Sequence, residues 1–431
     1  MRPMRSVASL VALVVVMAVL HRLTARGPLE ARATLALGFL LVAAFVSSDL
    51  AVRARLPRIT GYALVGFAVG PAWLGLVRRE ELDALRFVED AAVALIALAA
   101  GSELREAALR QSRGALAWVA TGAMTFPFVA VTVVMISVSP WFPITVHHRF
   151  GDGVAVALVL GTWAAVSSPV VARAMVDERE VPAPTAGALL DVTVVQDAIV
   201  MILFALVLTA GKALTSPGAL TLAVAGWALG GLVGSLASGA LLGFAVSRFE
   251  RVVPRDTVAL LAAMAFVAAA AARLVHLEPV LVGLAAGFAL ENLPSVEAGR
   301  VRPELRRGAT LLYATFFVLA GAGLRLGVLA ELWPWTALLV GLRVVSLRSG
   351  LRWAGLHRDV TPVLARVGYL GLISQGGTAL ALGHLARRAF PEWGVSLEAL
   401  IVAMIGVHFL AGPICFRAAL ARAEDTTGGV T

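Results

Sequence analysis

The sequence predicts an all-α, polytopic membrane protein built from two inverted halves. Apolar runs near twenty residues recur from end to end, arginines gather in alternate connections, and short motifs return about 220 residues later. Of 431 residues, 59% are hydrophobic and only 15% charged, and mean hydropathy is +0.88. That balance lies outside soluble globular chains and inside membrane proteins.

Fourteen spans are expected, at about 6–23, 34–52, 57–76, 88–104, 114–138, 153–176, 186–210, 219–247, 257–274, 279–292, 308–326, 335–352, 363–387 and 397–420. The first follows Arg2 and Arg5 and reads as a retained helix; His21, Arg22, Leu23 and Thr24 make a poor signal-peptide cleavage site. Residues 1–33 therefore form an extra N-terminal membrane helix, 34–422 the main membrane domain and 423–431 a short tail. The span at 279–292 is short, which suits a half-buried or irregular element, and the long ones need tilt.

With the N-terminus inside, the inner connections carry Arg53, Arg55 and Arg58, then Arg105, Arg110 and Arg113, then Arg248, Arg251 and Arg255. Arg300, Arg302, Arg306 and Arg307 follow, then Arg348, Arg352, Arg358 and Arg366. The outer connections are poorer: Arg149 in one, Lys212 in another, and in a loop at 78–86 Arg78, Arg79 and Arg86 mixed with Glu80, Glu81 and Asp83. This bias puts both termini in the cytoplasm of a cell inner membrane.

The net charge of +9 belongs to those connections. No basic stripe with interleaved aromatics appears, which argues against nucleic acid. A single cysteine, Cys415, excludes an internal disulfide and any CxxC motif. Without a Walker motif, a nucleophile elbow or metal-ligand spacing, no enzyme, resident cofactor or bound metal is expected.

The repeat is direct. Val65-Gly66-Phe67-Ala68 returns as Ala286-Gly287-Phe288-Ala289, and Ala100-Gly101-Ser102-Glu103-Leu104-Arg105 as Ala320-Gly321-Ala322-Gly323-Leu324-Arg325. The host spans are seven apart, so the halves have opposite orientation, related by a pseudo-two-fold axis in the membrane plane as in secondary transporters.

Two spans in equivalent places are interrupted. The sixth contains Ser167-Ser168-Pro169, and the thirteenth Ser374-Gln375-Gly376-Gly377-Thr378. Proline removes a donor and frees a carbonyl, so both segments are expected to be discontinuous helices at a binding site. Between them in the chain, Gly187 to Leu208 is apolar enough to span yet carries Asp191, Gln196 and Asp197. A carboxylate there costs about 2.5–3.5 kcal/mol on insertion scales, so it is kept where an ion, water or partner reaches it. Burial disfavours its charged form, so a proton and a cation compete for one site. Asp197 and Gln196 are the candidate ion and proton site, and Asp191, nearer the cytoplasmic end, a candidate vestibule residue. Arg343, the other mid-membrane charge, either steadies the carboxylate or the broken-helix carbonyls, or snorkels with Arg348 and Arg352. Glu103, Arg273, Glu291 and Arg325 read as interfacial, and His384 and His408 as packing or pore-lining residues.

Together these segments resemble the second family of the cation:proton antiporter superfamily, with its sodium/hydrogen exchanger domain and its glutathione-gated potassium-efflux members. Leu56-Pro57, Gly61-Tyr62, Gly66 and Gly70-Pro71 look like the family's LPxxxGYxxxGxxxGP opening, and Ala100 to Leu104 like its GLEL element. Val166 to Glu180 is similar to SSTAVVLxxLxERG, Gln196-Asp197 to the QD pair, Val282 to Ala289 to GAFLAGL, Phe316 to Leu324 to FFVSVGMxL, and Leu372 to Ala379 to LLSQGGEFA. The ordered set covers about Thr34 to Arg422.

The resemblance implies an inverted-repeat antiporter fold of 13–14 helices with two crossed discontinuous helices. It implies a homodimer in the lipid bilayer that exchanges Na+ or K+ for H+ at Asp197 by moving a core domain against a dimerisation domain. Thr378 stands where many relatives carry Glu, and Gln196 where other branches carry Asp or Asn. The nucleotide-binding regulatory domain of the potassium-efflux members has no counterpart in this sequence, and the helix at 6–23 is extra. Two alternatives stand beside this reading: a different ion-coupled symporter on a similar inverted-repeat fold, and a non-transporting membrane scaffold or sensor.

Overall fold

The computed structural model describes residues 2–24, 26–54, 56–102, 113–178, 184–215, 221–250, 277, 279–292, 301–324 and 330–428. Among them are fifteen α-helices, a 3-10 turn at Ser139–Trp141 and no strand. The first half runs α1 (Arg2–Leu23), α2 (Leu29–Arg53), α3 (Arg58–Val69), α4 (Arg79–Ser102), α5 (Arg113–Val138), α6 (Phe150–Ala164), α7 (Pro169–Asp177) and α8 (Pro184–Thr215). Then come α9 (Thr221–Glu250), α10 (Pro279–Asn292), α11 (Val301–Ala322), α12 (Trp333–Ala354), α13 (Pro362–Gly371), α14 (Gly377–Ala389) and α15 (Gly394–Gly428). The span expected at 257–274, together with Arg55, Glu103, Leu104, Arg105, Arg110, Glu180, Arg251, Arg255, Arg273, Arg300 and Arg325, lies outside the described residues.

By length and composition, five helical stretches among the described residues can cross a bilayer: Leu29–Arg53, Arg113–Trp141, Phe150–Asp177, Thr185–Thr215 and Gly394–Glu424. The described helices differ from the sequence reading at the start of α4 and at the end of the last helix. The loop expected at 78–86 is mostly the start of α4, where Glu80 and Glu81 occupy the first turn. Acids favour a helix N-terminus, and Glu81 Oε2 accepts the Arg78 N–H at 2.8 Å. Glu89 and Asp90 consequently sit inside α4 instead of at its mouth. As expected, the sixth and thirteenth spans are each two half-helices, α6/α7 and α13/α14. The last helix continues to Gly428, with no Pro or Gly between Phe416 and Thr427 to stop it.

The internal symmetry is visible in glycine contacts. A Cβ on Gly66 of α3 would lie 2.1 Å from the Val318 oxygen of α11, and one on Gly321 of α11 2.2 Å from the Ala63 oxygen of α3. The repeat reproduces both: Gly287 of α10 would meet the Leu98 oxygen of α4 at 2.0 Å, and Gly101 of α4 the Leu284 oxygen of α10 at 2.1 Å. Because α3 answers to α10 and α4 to α11, these are one helix contact seen twice, as inverted repeats require. Gly122 of α5 and Gly350 of α12 face each other's carbonyls at 2.3 and 2.1 Å, two helices that the axis exchanges. Only a residue without Cβ permits this backbone approach.

Overpacking at such a contact is expected to cost about 1–3 kcal/mol. Gly287→Ala should therefore lower the thermal unfolding midpoint in detergent, whereas Gly38→Ala, with no atom within 4 Å of its new methyl, should not.

Candidate functional site

The two interruptions form where the sequence denies the helix its bonds. Pro169 has no N–H and biases Ser168 away from the helical region, so α6 stops at Ala164 and α7 starts afresh. Ser168 caps the new helix, its Oγ accepting the Val171 N–H at 3.3 Å. In the partner break, α13 ends at Gly371 and α14 begins at Gly377. Gly376 lies against Ser168: a Cβ there would come 2.7 Å from Ser168 Oγ. The breaks cross and bond directly, with Ser168 N–H donating to the Ser374 oxygen at 2.9 Å and Ser167 Oγ to the Leu372 oxygen at 2.9 Å.

A broken helix leaves its last carbonyls without intrahelical partners. At the end of α6 these are met by side chains from three other segments. Gln375 Nε2 donates to the Trp163 oxygen at 2.9 Å and the Val166 oxygen at 3.4 Å. Gln196 Nε2 approaches the Ala165 oxygen at 3.5 Å, and Arg343 Nε donates to the Ala164 oxygen at 2.9 Å. Arg343 Nη2 donates to the Val166 oxygen of the same break at 2.5 Å, and Arg343 also serves the other break, through Nη1 to the Ile373 oxygen at 2.7 Å and Nη2 to the Leu372 oxygen at 2.9 Å. Its side chain is 0% exposed, so it is a buried clamp on both breaks and does not snorkel. None of these hydrogen bonds goes to Asp197. What Arg343 compensates directly is the pair of helix C-termini, each equivalent to about −0.5 charge.

Asp197, on α8, is 0% exposed, and its Oδ2 accepts the Thr378 hydroxyl at 2.8 Å. Thr378 belongs to the first turn of α14, so the carboxylate lies by a helix N-terminus, the end whose partial charge favours an anion. Asp197 Oδ1 has no hydrogen-bond partner among the described residues, and neither have the amide oxygens of Gln196 and Gln375 or Ser374 Oγ. All are buried oxygens, the donor type that hard monovalent cations and protons take. A narrow crevice along Val166 to Val170, Gly376 and Thr378 runs beside them. Asp191 is half-buried, about a turn and a half earlier on α8.

Every candidate from the two interrupted segments, Ser167, Ser168, Pro169, Ser374, Gln375, Gly376, Gly377 and Thr378, thus lies at or beside one crossing, with Gln196, Asp197 and Arg343 against it. His408, on α15, read from the sequence as a packing or pore-lining residue, is buried with its ring 5.6 Å from that of Trp163. Sequence reasoning missed two things. Gln375 is a carbonyl cap. Arg173 and Asp177, at i and i+4 on the same short helix, form a nearly buried ion pair at 2.7 Å. The available signal for the last was a charged pair within an otherwise apolar segment.

Thr378→Val keeps the shape and removes the donor to Asp197. A hydrogen bond to a charged group contributes about 1.5–3 kcal/mol, so the apparent cation affinity is expected to fall about tenfold at neutral pH with folding retained. The cation dependence of proton flux checks this.

The transmembrane sodium/hydrogen exchanger profile matches residues 37–420. The chain belongs to the sodium/hydrogen exchanger family. No curated protein matches it. Among solved structures, this exchanger is similar to the sodium proton antiporter MjNhaP1 from Methanocaldococcus jannaschii at pH 8, with a TM-score of 0.62 and 14% identity over 92% of this chain and 99% of that one. An electron-microscopy structure of the same antiporter gives a TM-score of 0.68 at 14% identity, covering 93% and 98%. At that identity the likeness shows the fold: an all-α, inverted-repeat antiporter fold with two crossed broken helices. Helix α1 precedes the matched region.

Proposed function

We propose that this exchanger moves Na+ or K+ against protons through Asp197 by alternating access. Family membership supports cation:proton exchange across a membrane; the site and the route are our reading. The observation that carries it is the fully buried Asp197 at the crossing, with one oxygen held by Thr378 and the other without a partner. A bare carboxylate is costly to move through a low-dielectric layer, whereas a carboxylate bearing a proton or a cation is neutral. Only loaded states then reorient, and one site that takes either ligand exchanges the two. Arg343 keeps the helix ends compensated in every state, so the charge that changes is Asp197 alone. The same reading places the protein as a homodimer in a cell inner membrane with both termini cytoplasmic.

The test is proton flux in everted vesicles with a pH-sensitive dye, adding Na+, K+ and Li+ in turn. Dissipation of the gradient by at least one cation is expected. No response to any of them between pH 6 and 9 would turn the reading towards a scaffold or sensor.

A further inference from the structure

The motif that contains the first break runs on past it to two consecutive acids, Asp177 and Glu178, and the ion site uses neither. Both reach out of the crossing unit (α5 to α8 and α12 to α15) to the packed pair α3 and α11. Tyr313 of α11 donates its hydroxyl to Asp177 Oδ2. Asp177 also accepts from Arg173 within α7, from Nε at 3.1 Å and Nη2 at 2.7 Å. The Arg58 N–H, at the first residue of α3, donates to Glu178 Oε1 at 2.7 Å, so a carboxylate from one unit caps a helix N-terminus of the other. Glu178 Oε2 is buried without a hydrogen-bond partner among the described residues. Arg58 and Tyr62 of α3 and Arg417 of α15 surround Glu178, and burial pushes its carboxyl up from the ordinary value more than the Arg58 amide and the Arg417 and Arg58 charges pull it down.

We propose that Tyr313, Asp177 and Glu178 are positioning residues: a latch that closes the arginine-rich end of the ion pathway and opens whenever Asp197 faces that end. The proposal rests on the antiport reading above. The chemistry suits repeated opening. The Arg173–Asp177 pair lies wholly within α7, so parting from Tyr313 strips no charge of its counter-charge. The tie at Arg58 is exposed, and water can replace it on both sides. By contrast, the Arg343 bonds that join the two breaks are fully buried and have no water to exchange with, so the crossing moves as one body. At the opposite end, the bonds from Trp393 Nε1 to Asp152 Oδ1 at 3.3 Å and from Arg387 to Glu398 at 3.0 Å stay within the crossing unit. The ties described here that span the seam are at the arginine-rich end.

The test joins the seam reversibly. Arg58→Cys and Glu178→Cys, in a Cys415→Ser background, are linked with a short bis-thiosulfonate cross-linker, which joins the two thiols through reducible disulfides. Cation-driven exchange is expected to fall at least about tenfold and to return on reduction. Cross-linked protein that exchanges at the unlinked rate overturns the latch. If the wild-type protein shows no exchange, the antiport reading fails; if only the unlinked cysteine variant shows none, hydrogen–deuterium exchange of purified Tyr313→Phe decides the latch by itself. Loss of one charge-assisted hydrogen bond should raise exchange of the α7 amides about tenfold; unchanged protection overturns the proposal.

Discussion

Asp197→Asn is expected to abolish cation-driven proton exchange while leaving the protein folded. The substitution preserves size and lets the side-chain oxygen accept from Thr378, but it removes the group that takes up a proton and the charge that attracts a cation. Losing about 3 kcal/mol of cation attraction already corresponds to about 100-fold, and the proton-carrying half of the cycle goes with it. Stability should hold or rise, because a fully buried carboxylate with one hydrogen-bond donor is a desolvated charge in the free protein. Dye-monitored flux and thermal unfolding of the same preparation separate the two effects. Exchange above about a tenth of wild type, a loss worth less than about 1.4 kcal/mol, would sink Asp197 as the site. Loss of exchange together with loss of fold would instead assign it a structural role.

How much of this was legible beforehand depends on whether a residue type carries its own signal. Pro169, the Gly376-Gly377 pair and a carboxylate in an apolar run each break a local rule, and a broken rule shows in one dimension. The pairing of Gly66 with Gly287, and of Gly101 with Gly321, was readable as a repeat for the same reason. The partners of the freed carbonyls were not readable, because every residue has a carbonyl and only the tertiary arrangement decides which donor meets it. Arg343 therefore stood with two meanings, and Gln375 passed as part of a glycine-rich break. The start of α4 was misread because Arg79 to Asp83 is polar enough for a loop, while its acids suit a first helical turn. Asp177 and Glu178 gave no hint of Tyr313 and Arg58, which lie 136 and 120 residues away in the chain.

Arg343→Leu tests what holds the crossing together, and it should destabilise the protein more than any change at the ion site. Four carbonyls accept from this side chain. After truncation, Val166 retains Gln375 and Leu372 retains Ser167, but Ala164 and Ile373 keep no other donor described here. An orphaned buried acceptor costs about 1–3 kcal/mol. The two helix ends, about −0.5 charge each, also lose their compensation in a low-dielectric site. Together these match the roughly 3–5 kcal/mol seen when one partner of a buried charged group is removed. Arg343→Lys separates the two contributions. It keeps the charge as a single point with three donors, whereas the guanidinium offers a planar fork that reaches both breaks at once. If compensation of charge dominates, Lys should unfold close to wild type; if bridging geometry dominates, Lys should resemble Leu. The four bonds, spread over three nitrogens and both breaks, favour geometry, so Lys is expected to recover less than half of the loss. A Leu variant that unfolds with the wild-type midpoint would show that the crossing is held by packing and by the Ser167, Ser168 and Gln375 bonds without Arg343.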